Sequence, residues 1–164
     1  MISNVRVFPG VGKKPPAFTL PPDTGEKVRL SGLVGRPVVV FFYPKDNTPG
    51  CTVEVQEFRD LHTKFKKLDV RMLGISPDAV TSHIKFVEKQ SLNFSLLSDT
   101  EHTTIEKYGL WVEKKMYGRV FWGVQRATLL IDAAGKIAAA WPKVKPKGHA
   151  AEVLTAAREL VGRK

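Results

Sequence analysis

The chain has 164 residues, 43% of them hydrophobic and 26% charged, the size and mixture of one globular domain over 1–164 that folds without disulfides or metal. No apolar run approaches the roughly 20 residues that span a bilayer, and Met1 to Phe18 has neither a signal-peptide core nor a transit-peptide pattern. The formal charge is +10, but Lys and Arg are dispersed along the chain and only Lys114 to Trp122 mixes basic with aromatic residues, which argues against nucleic-acid binding as the main task.

Taken in chain order, Phe18–Leu20 and Val28–Leu30 flank the turn residues Pro21-Pro22-Asp23-Thr24-Gly25 and predict an N-terminal β-hairpin. Val38-Val39-Val40-Phe41-Phe42-Tyr43 is a continuous β-branched and aromatic run, the pattern of a strand buried on both faces, and Pro44 ends it. After the loop Lys45–Gly50 a helix is expected to start near Cys51, with Val55, Phe58, Leu61, Phe65 and Leu68 on its inner face. A second strand–helix unit follows: Val70–Ile75, then a helix opened by Ser76-Pro77 with Val80, Ile84 and Val87 inward. Leu96-Leu97 reads as a short strand, and Asp99 or Thr100 as the cap of a helix through Ile105 and Tyr108. Leu110–Gly123 reads as irregular, Ala127–Ile131 and Ile137–Trp141 as a hairpin, and His149 onward as a closing helix. This order predicts an α/β, thioredoxin-like fold: a central mixed sheet flanked by helices, with the N-terminal hairpin as an extension.

Cys51 is the only cysteine, so no internal disulfide can form, and a lone thiol suits a reducing compartment such as the cytoplasm. It follows a strand and a tight Pro/Gly loop and sits in a helix's first turn, where free backbone N–H groups and the helix dipole favour an anion. Settings of this kind favour the thiolate, the nucleophilic form. Thr48, three residues earlier, carries a hydroxyl that both donates and accepts; Pro44 and Pro49 stiffen the loop and add no N–H.

Tyr43-Pro44-Lys45-Asp46-Asn47-Thr48-Pro49-Gly50-Cys51-Thr52 resembles the P-x-x-x-[TS]-x-x-C signature of peroxiredoxins, and T-P-G-C-T is most like the bacterioferritin comigratory protein, or peroxiredoxin Q, subfamily. The similarity continues through Leu73–Asp78, Phe94–Asp99, Tyr108–Trp111, Glu113–Gly118 and Val124–Thr128, nearly the whole chain. The resemblance implies a thiol-dependent peroxidase. Cys51 would attack the peroxide and become a sulfenic acid, Thr48 would hydrogen-bond the reacting atoms, Pro44 would shield them, and Arg126 would hold the thiolate and polarise the O–O bond. Glu54 stands where many members carry an acid that braces the arginine, and Arg119 is a further candidate guanidinium. Many members carry a resolving Cys five residues after the first; here that residue is Gln56.

A one-cysteine variant needs an external thiol to reset it, whether thioredoxin, glutaredoxin or glutathione. The resemblance implies no cofactor, and a monomer. His62, His83, His102 and His149 lack metal-ligand spacing. Two other readings use the same residues: a peroxide sensor or redox relay acting through Cys51, and a non-enzymatic basic binding module.

Overall fold

The computed structural model describes residues 7–162, so part of the Met1–Phe18 reading and the charges of Arg163-Lys164 lie outside the described residues. Val38–Phe42 forms β3, the centre of a five-stranded sheet that comprises β4 (Arg71–Ser76), β5 (Ser95–Ser98), β8 (Ala127–Ile131) and β9 (Ile137–Trp141) as well. The order is β5-β4-β3-β8-β9, with β3–β4 and β4–β5 parallel and β3–β8 and β8–β9 antiparallel. The N-terminal hairpin is present as β1 (Thr19–Leu20) and β2 (Val28–Arg29).

Because successive strand residues point to opposite faces, β3 feeds two cores. Val38, Val40 and Phe42 join Ile105, Tyr108 and Leu110 on one side; Val39, Phe41 and Tyr43 join α1 (Pro49–Lys67) and α4 (His149–Gly162) on the other. The apolar spacing expected for α1 is the spacing observed, and Phe58 stacks on Phe41 with ring centroids 4.7 Å apart. That contact seats the helix across β3, which ends at Phe42. Cys51 is buried in the same core, one turn before Val55.

Two expectations are corrected. The Ser76-Pro77 pair does not open a helix: α2 runs Val80–Gln90 behind an Ala79 N-cap, while Ser76 completes β4 and its hydroxyl donates to Asp78 Oδ2 at 2.6 Å. The fully buried residues of α2 are His83, Phe86 and Gln90; of the expected inner face, Val87 packs half-buried against the core and Ile84 is exposed. Leu110–Gly123 is not irregular either. It contains a hairpin of β6 (Trp111–Met116) and β7 (Arg119–Val124) outside the main sheet. Its two-residue turn has Tyr117 at φ 54° and Gly118 at φ 76°, the left-handed pair that matches the twist of adjoining strands. The third helix, α3, is short (Thr103–Lys107) and its N-cap is His102 rather than Asp99 or Thr100, although the Asp99 carboxylate accepts the Ile105 N–H at 2.8 Å. Among the described residues no helix is long and apolar enough to cross a membrane.

Candidate active site

The loop after β3 is shaped to start a helix abruptly. Thr48 is extended (φ −90°, ψ 152°), its carbonyl accepts the Thr52 N–H at 2.9 Å, and Pro49 supplies the fixed φ of a first helical residue. The Thr48 hydroxyl does not cap the helix; it donates to the Lys45 carbonyl at 2.8 Å, closing the loop on itself. The backbone N–H groups of the first turn are therefore left for other acceptors, and Cys51 lies among them.

Arg126, immediately before β8, reaches across to this turn. Its Nη2 donates to Cys51 Sγ at 3.2 Å and its Nη1 to Glu54 Oε1 at 2.6 Å. One planar guanidinium thus spans a thiol and a carboxylate one turn apart on α1, a geometry that a lysine cannot reproduce. Cys51 and Glu54 are fully buried, and the Arg126 side chain is 12% exposed. Gly50 makes the approach possible, since a β-carbon there would lie 3.2 Å from Arg126 Nη2. Burial pushes the Glu54 carboxyl up to about 7 against the pull of Arg126, with Glu57 adding to the rise. Burial works against the Arg126 charge, but Glu54 and Cys51 outweigh it and raise its pKa. Glu54 Oε2 is buried without a hydrogen-bond partner among the described residues.

Of the residues singled out in the sequence, Cys51, Arg126 and Glu54 are in direct contact, while Thr48 and half-buried Pro44 lie in the loop that precedes the thiol. Arg119 stands apart: it is exposed at the hairpin tip opposite Met116 and takes no part in the Cys51–Arg126–Glu54 contacts.

Sequence reasoning missed a polar network beneath the loop. Asp46 accepts from the Tyr43 hydroxyl at 2.6 Å and from the Ser82 hydroxyl at 2.8 Å, and its Oδ2 lies 2.8 Å from His83 Nδ1. Its own N–H donates to Asp78 Oδ2 at 2.8 Å. Burial raises the Asp46 carboxyl, but hydrogen bonds from His83 and Tyr43 outweigh it and leave the pKa lowered. The ligand atoms of Asp46, Asp78 and His83 fall within 4.8 Å of one another, yet their hydrogen bonds are to protein groups, so the cluster anchors the loop rather than forming an open metal cage. Only the fold brings α2 under Asp46; the sequence carries no local sign of it.

Lys114 was also missed. It is half-buried, and its pKa is lowered by burial first and then by Arg126, with Cys51 acting in the opposite sense. Val144 N–H donates to the Arg126 carbonyl at 3.0 Å, holding the segment before α4 against the site.

The chain is similar to known proteins over most of its length. Residues 11–140 match the AhpC/TSA family. A putative peroxiredoxin Bcp of Coxiella burnetii is 50% identical over 144 residues, 88% of this chain and 95% of that protein. The peroxiredoxin Bcp of Bacillus subtilis is 45% identical over 150 residues, 92% of this chain and 96% of its own. Among solved structures, the Xanthomonas campestris bacterioferritin comigratory protein, studied for its alkyl peroxide reduction activity, superposes with a TM-score of 0.83 at 38% identity, covering 88% of this chain and 92% of that one. The PrxQ of Xylella fastidiosa gives a TM-score of 0.85 at 35% identity, covering 91% and 95%.

Proposed function

This chain belongs to the AhpC/TSA family and is a peroxiredoxin, a thiol-dependent hydroperoxide reductase, and from that premise we propose that Cys51 reduces hydrogen peroxide and organic hydroperoxides through a sulfenic acid reset by an external thiol. The observation that carries the reading is the 3.2 Å contact from Arg126 Nη2 to Cys51 Sγ, with Nη1 tied to Glu54. The Cys51 thiolate attacks the terminal oxygen of ROOH; an S–O bond forms, the O–O bond breaks, and the departing oxygen leaves as ROH with a proton. Charge migrates from sulfur to the departing oxygen during this step. A guanidinium already fixed beside the sulfur stabilises that charge without reorganising, the kind of contribution worth about 10²–10³ in rate per donor. Thr48 donates its hydroxyl proton to Lys45, so its lone pairs remain to accept from the hydroperoxide. Pro44, without an N–H, walls the thiol from water.

With a single cysteine, the two electrons that return Cys51 to the thiol come from outside the chain, from thioredoxin, glutaredoxin or glutathione. The same reading has a monomer working in the cytoplasm, and the lone free thiol is what supports that compartment.

The test is stopped-flow reaction of the reduced protein with stoichiometric hydrogen peroxide and cumene hydroperoxide, followed by Trp111 and Trp122 fluorescence and mass spectrometry. A rapid change that leaves one added oxygen on Cys51 is the expected result. A rate no better than that of a free thiol would overturn the reading.

A further inference from the structure

The one basic and aromatic stretch of the chain, Lys114 to Trp122, makes up most of the β6–β7 hairpin, and the chemistry at Cys51 accounts for little of it. Its apolar side chains stand in the open: Met116, Tyr117, Val120 and Trp122 are 56%, 96%, 59% and 58% exposed, and Phe121 40%. Strand register sorts them. Lys114 pairs with Phe121 and Met116 with Arg119 on one face, while Glu113 with Trp122 and Lys115 with Val120 lie on the other. β7 ends at Val124, two residues before Arg126, so the base of the hairpin adjoins the site, and half-buried Lys114 feels the charges of Arg126 and Cys51.

A second segment also borders the thiol. Val144 is hydrogen-bonded to Arg126, and Pro146 Cγ lies 3.4 Å from where a β-carbon on Gly50 would be. With Val144 and Pro146 turned in, Lys143, Lys145 and Lys147 are exposed. Two carboxylates on α1 are engaged within the chain: Glu54 holds Arg126, and Glu57 accepts the Gly148 N–H at 2.9 Å. The surround of Cys51 is thus cationic, with an apolar hairpin beside it.

We propose that the β6–β7 hairpin and Lys143–Lys147 together form the docking surface for an acidic protein dithiol that resets the Cys51 sulfenic acid, an inference that rests on the peroxidase reading above. A small thiol has no use for five exposed apolar side chains on a hairpin. A second copy of this chain would bring the same lysines and another +10 of formal charge to the contact. A nucleic acid also suits basic and aromatic side chains, but it supplies none of the electrons that a sulfenic acid beside the patch requires. In the reaction, one partner thiolate attacks Cys51 Sγ, an S–S bond forms and the S–O bond breaks, and oxygen leaves as water. The partner's second thiol then attacks the partner sulfur bonded to Cys51, so Cys51 leaves as the thiol and the partner takes the disulfide, two electrons having passed to Cys51. Cys51 is buried, and docking holds the partner thiol beside it at high effective concentration.

The experiment compares two reductants on protein oxidised with one equivalent of hydrogen peroxide: an acidic thioredoxin, and dithiothreitol as an uncharged small dithiol. For the wild type, thioredoxin is expected to reset Cys51 at least about tenfold faster than dithiothreitol at equal concentration, and to slow as NaCl rises from 20 to 300 mM. The variants Lys145→Glu/Lys147→Glu and Met116→Ser/Trp122→Ser are expected to lose most of that thioredoxin advantage while keeping the wild-type oxidation rate and dithiothreitol reset. Equal thioredoxin rates in variants and wild type would overturn the proposal, as would absence of the wild-type advantage. So would tight salt-dependent binding of a single-stranded oligonucleotide, lost in the same variants, without any change in thioredoxin reset. The prior oxidation step separates the two readings: a protein that is oxidised rapidly but fails these comparisons keeps its peroxidase function and loses only this docking surface.

Discussion

Arg126 serves two acidic neighbours at once, and its value lies in shape as much as charge. Replacement by lysine keeps the cation but not the fork, so one of the contacts to Cys51 Sγ and Glu54 Oε1 must be lost. The peroxide rate of Arg126→Lys is expected to fall by about 10²-fold, the loss associated with one fixed donor at developing charge. Stopped-flow oxidation measures it, and wild-type kinetics in the variant would remove Arg126 from the reaction. Glu54 offers a different test. Its carboxyl is raised from 4.5 to about 7, mainly by burial, so between those pH values the folded protein holds a proton that the unfolded chain has released. The stability tied to that proton is fully present below about 4.5 and is lost as pH rises through about 7. Glu54→Gln removes the titration. Urea unfolding of wild type and variant at pH 5 and pH 8 is therefore expected to show a gap that shifts by up to about 3 kcal/mol in the variant's favour at the higher pH. Parallel pH profiles would show that Glu54 ionises as it does in the unfolded chain.

At the scale of elements, β4 is pinned between two neighbours by a residue with no side chain. A β-carbon on Gly74 would lie 2.8 Å from Leu96 Cδ2 and 2.8 Å from Phe41 Cζ. Phe41 is itself stacked on Phe58, so it cannot move without unseating α1. Gly74→Ala is expected to destabilise by about 1–3 kcal/mol, as overpacked cores do, and to slow the peroxide step through the displaced helix. Thermal unfolding alongside the oxidation rate checks both; a neutral variant would mean that β4 can shift away from β3. The same elements show why some of the architecture was legible and some was not. The Val38–Tyr43 strand and the Cys51 helix carry long, uninterrupted periodic patterns that burial enforces, and Ala127–Ile131 with Ile137–Trp141 has a Gly-containing turn between two apolar runs. The β6–β7 hairpin was unreadable because most of its length beyond the base is exposed, so no apolar alternation survives there, and its turn is Tyr117-Gly118 rather than Asn-Gly. The start of α2 misled for another reason: Ser76 bonds to Asp78 within the loop, and tertiary contacts of Asp78 with the Asp46 backbone fix that loop in place. At the site, Cys51, Thr48 and Pro44 were legible as a short local motif, and Arg126 and Glu54 through the resemblance. Asp46 with His83, and Lys114, depend on contacts between residues far apart in the chain, which no local pattern records.

For the whole molecule the governing quantity is the charge of +10, from 26 Lys and Arg against 16 Asp and Glu. Among the described residues the salt bridges are made by arginines and histidines, and no lysine comes within 4.0 Å of a carboxylate. The lysines therefore act on one another at long range, and the folded state concentrates that repulsion. Screening length falls from about 30 Å at 0.01 M salt to about 8 Å at 0.15 M, which covers the distances between neighbouring lysines on a domain of this size. If repulsion dominates, stability rises with salt; if exposed ion pairs such as Arg36–Asp69 and Arg59–Asp60 dominated, it would fall. The dispersed, unpaired lysines decide for the first case. The melting temperature is expected to rise by a few degrees, about 1 kcal/mol in stability, between 10 and 150 mM NaCl, with little further gain beyond. Because screening is long-ranged and non-specific, KCl should give the same curve. Lys143→Gln/Lys145→Gln/Lys147→Gln should flatten it, since those three side chains share one short exposed segment beside Arg126. A flat or falling melting curve in the wild type would mean that the lysines are far enough apart in solution for their repulsion to be negligible.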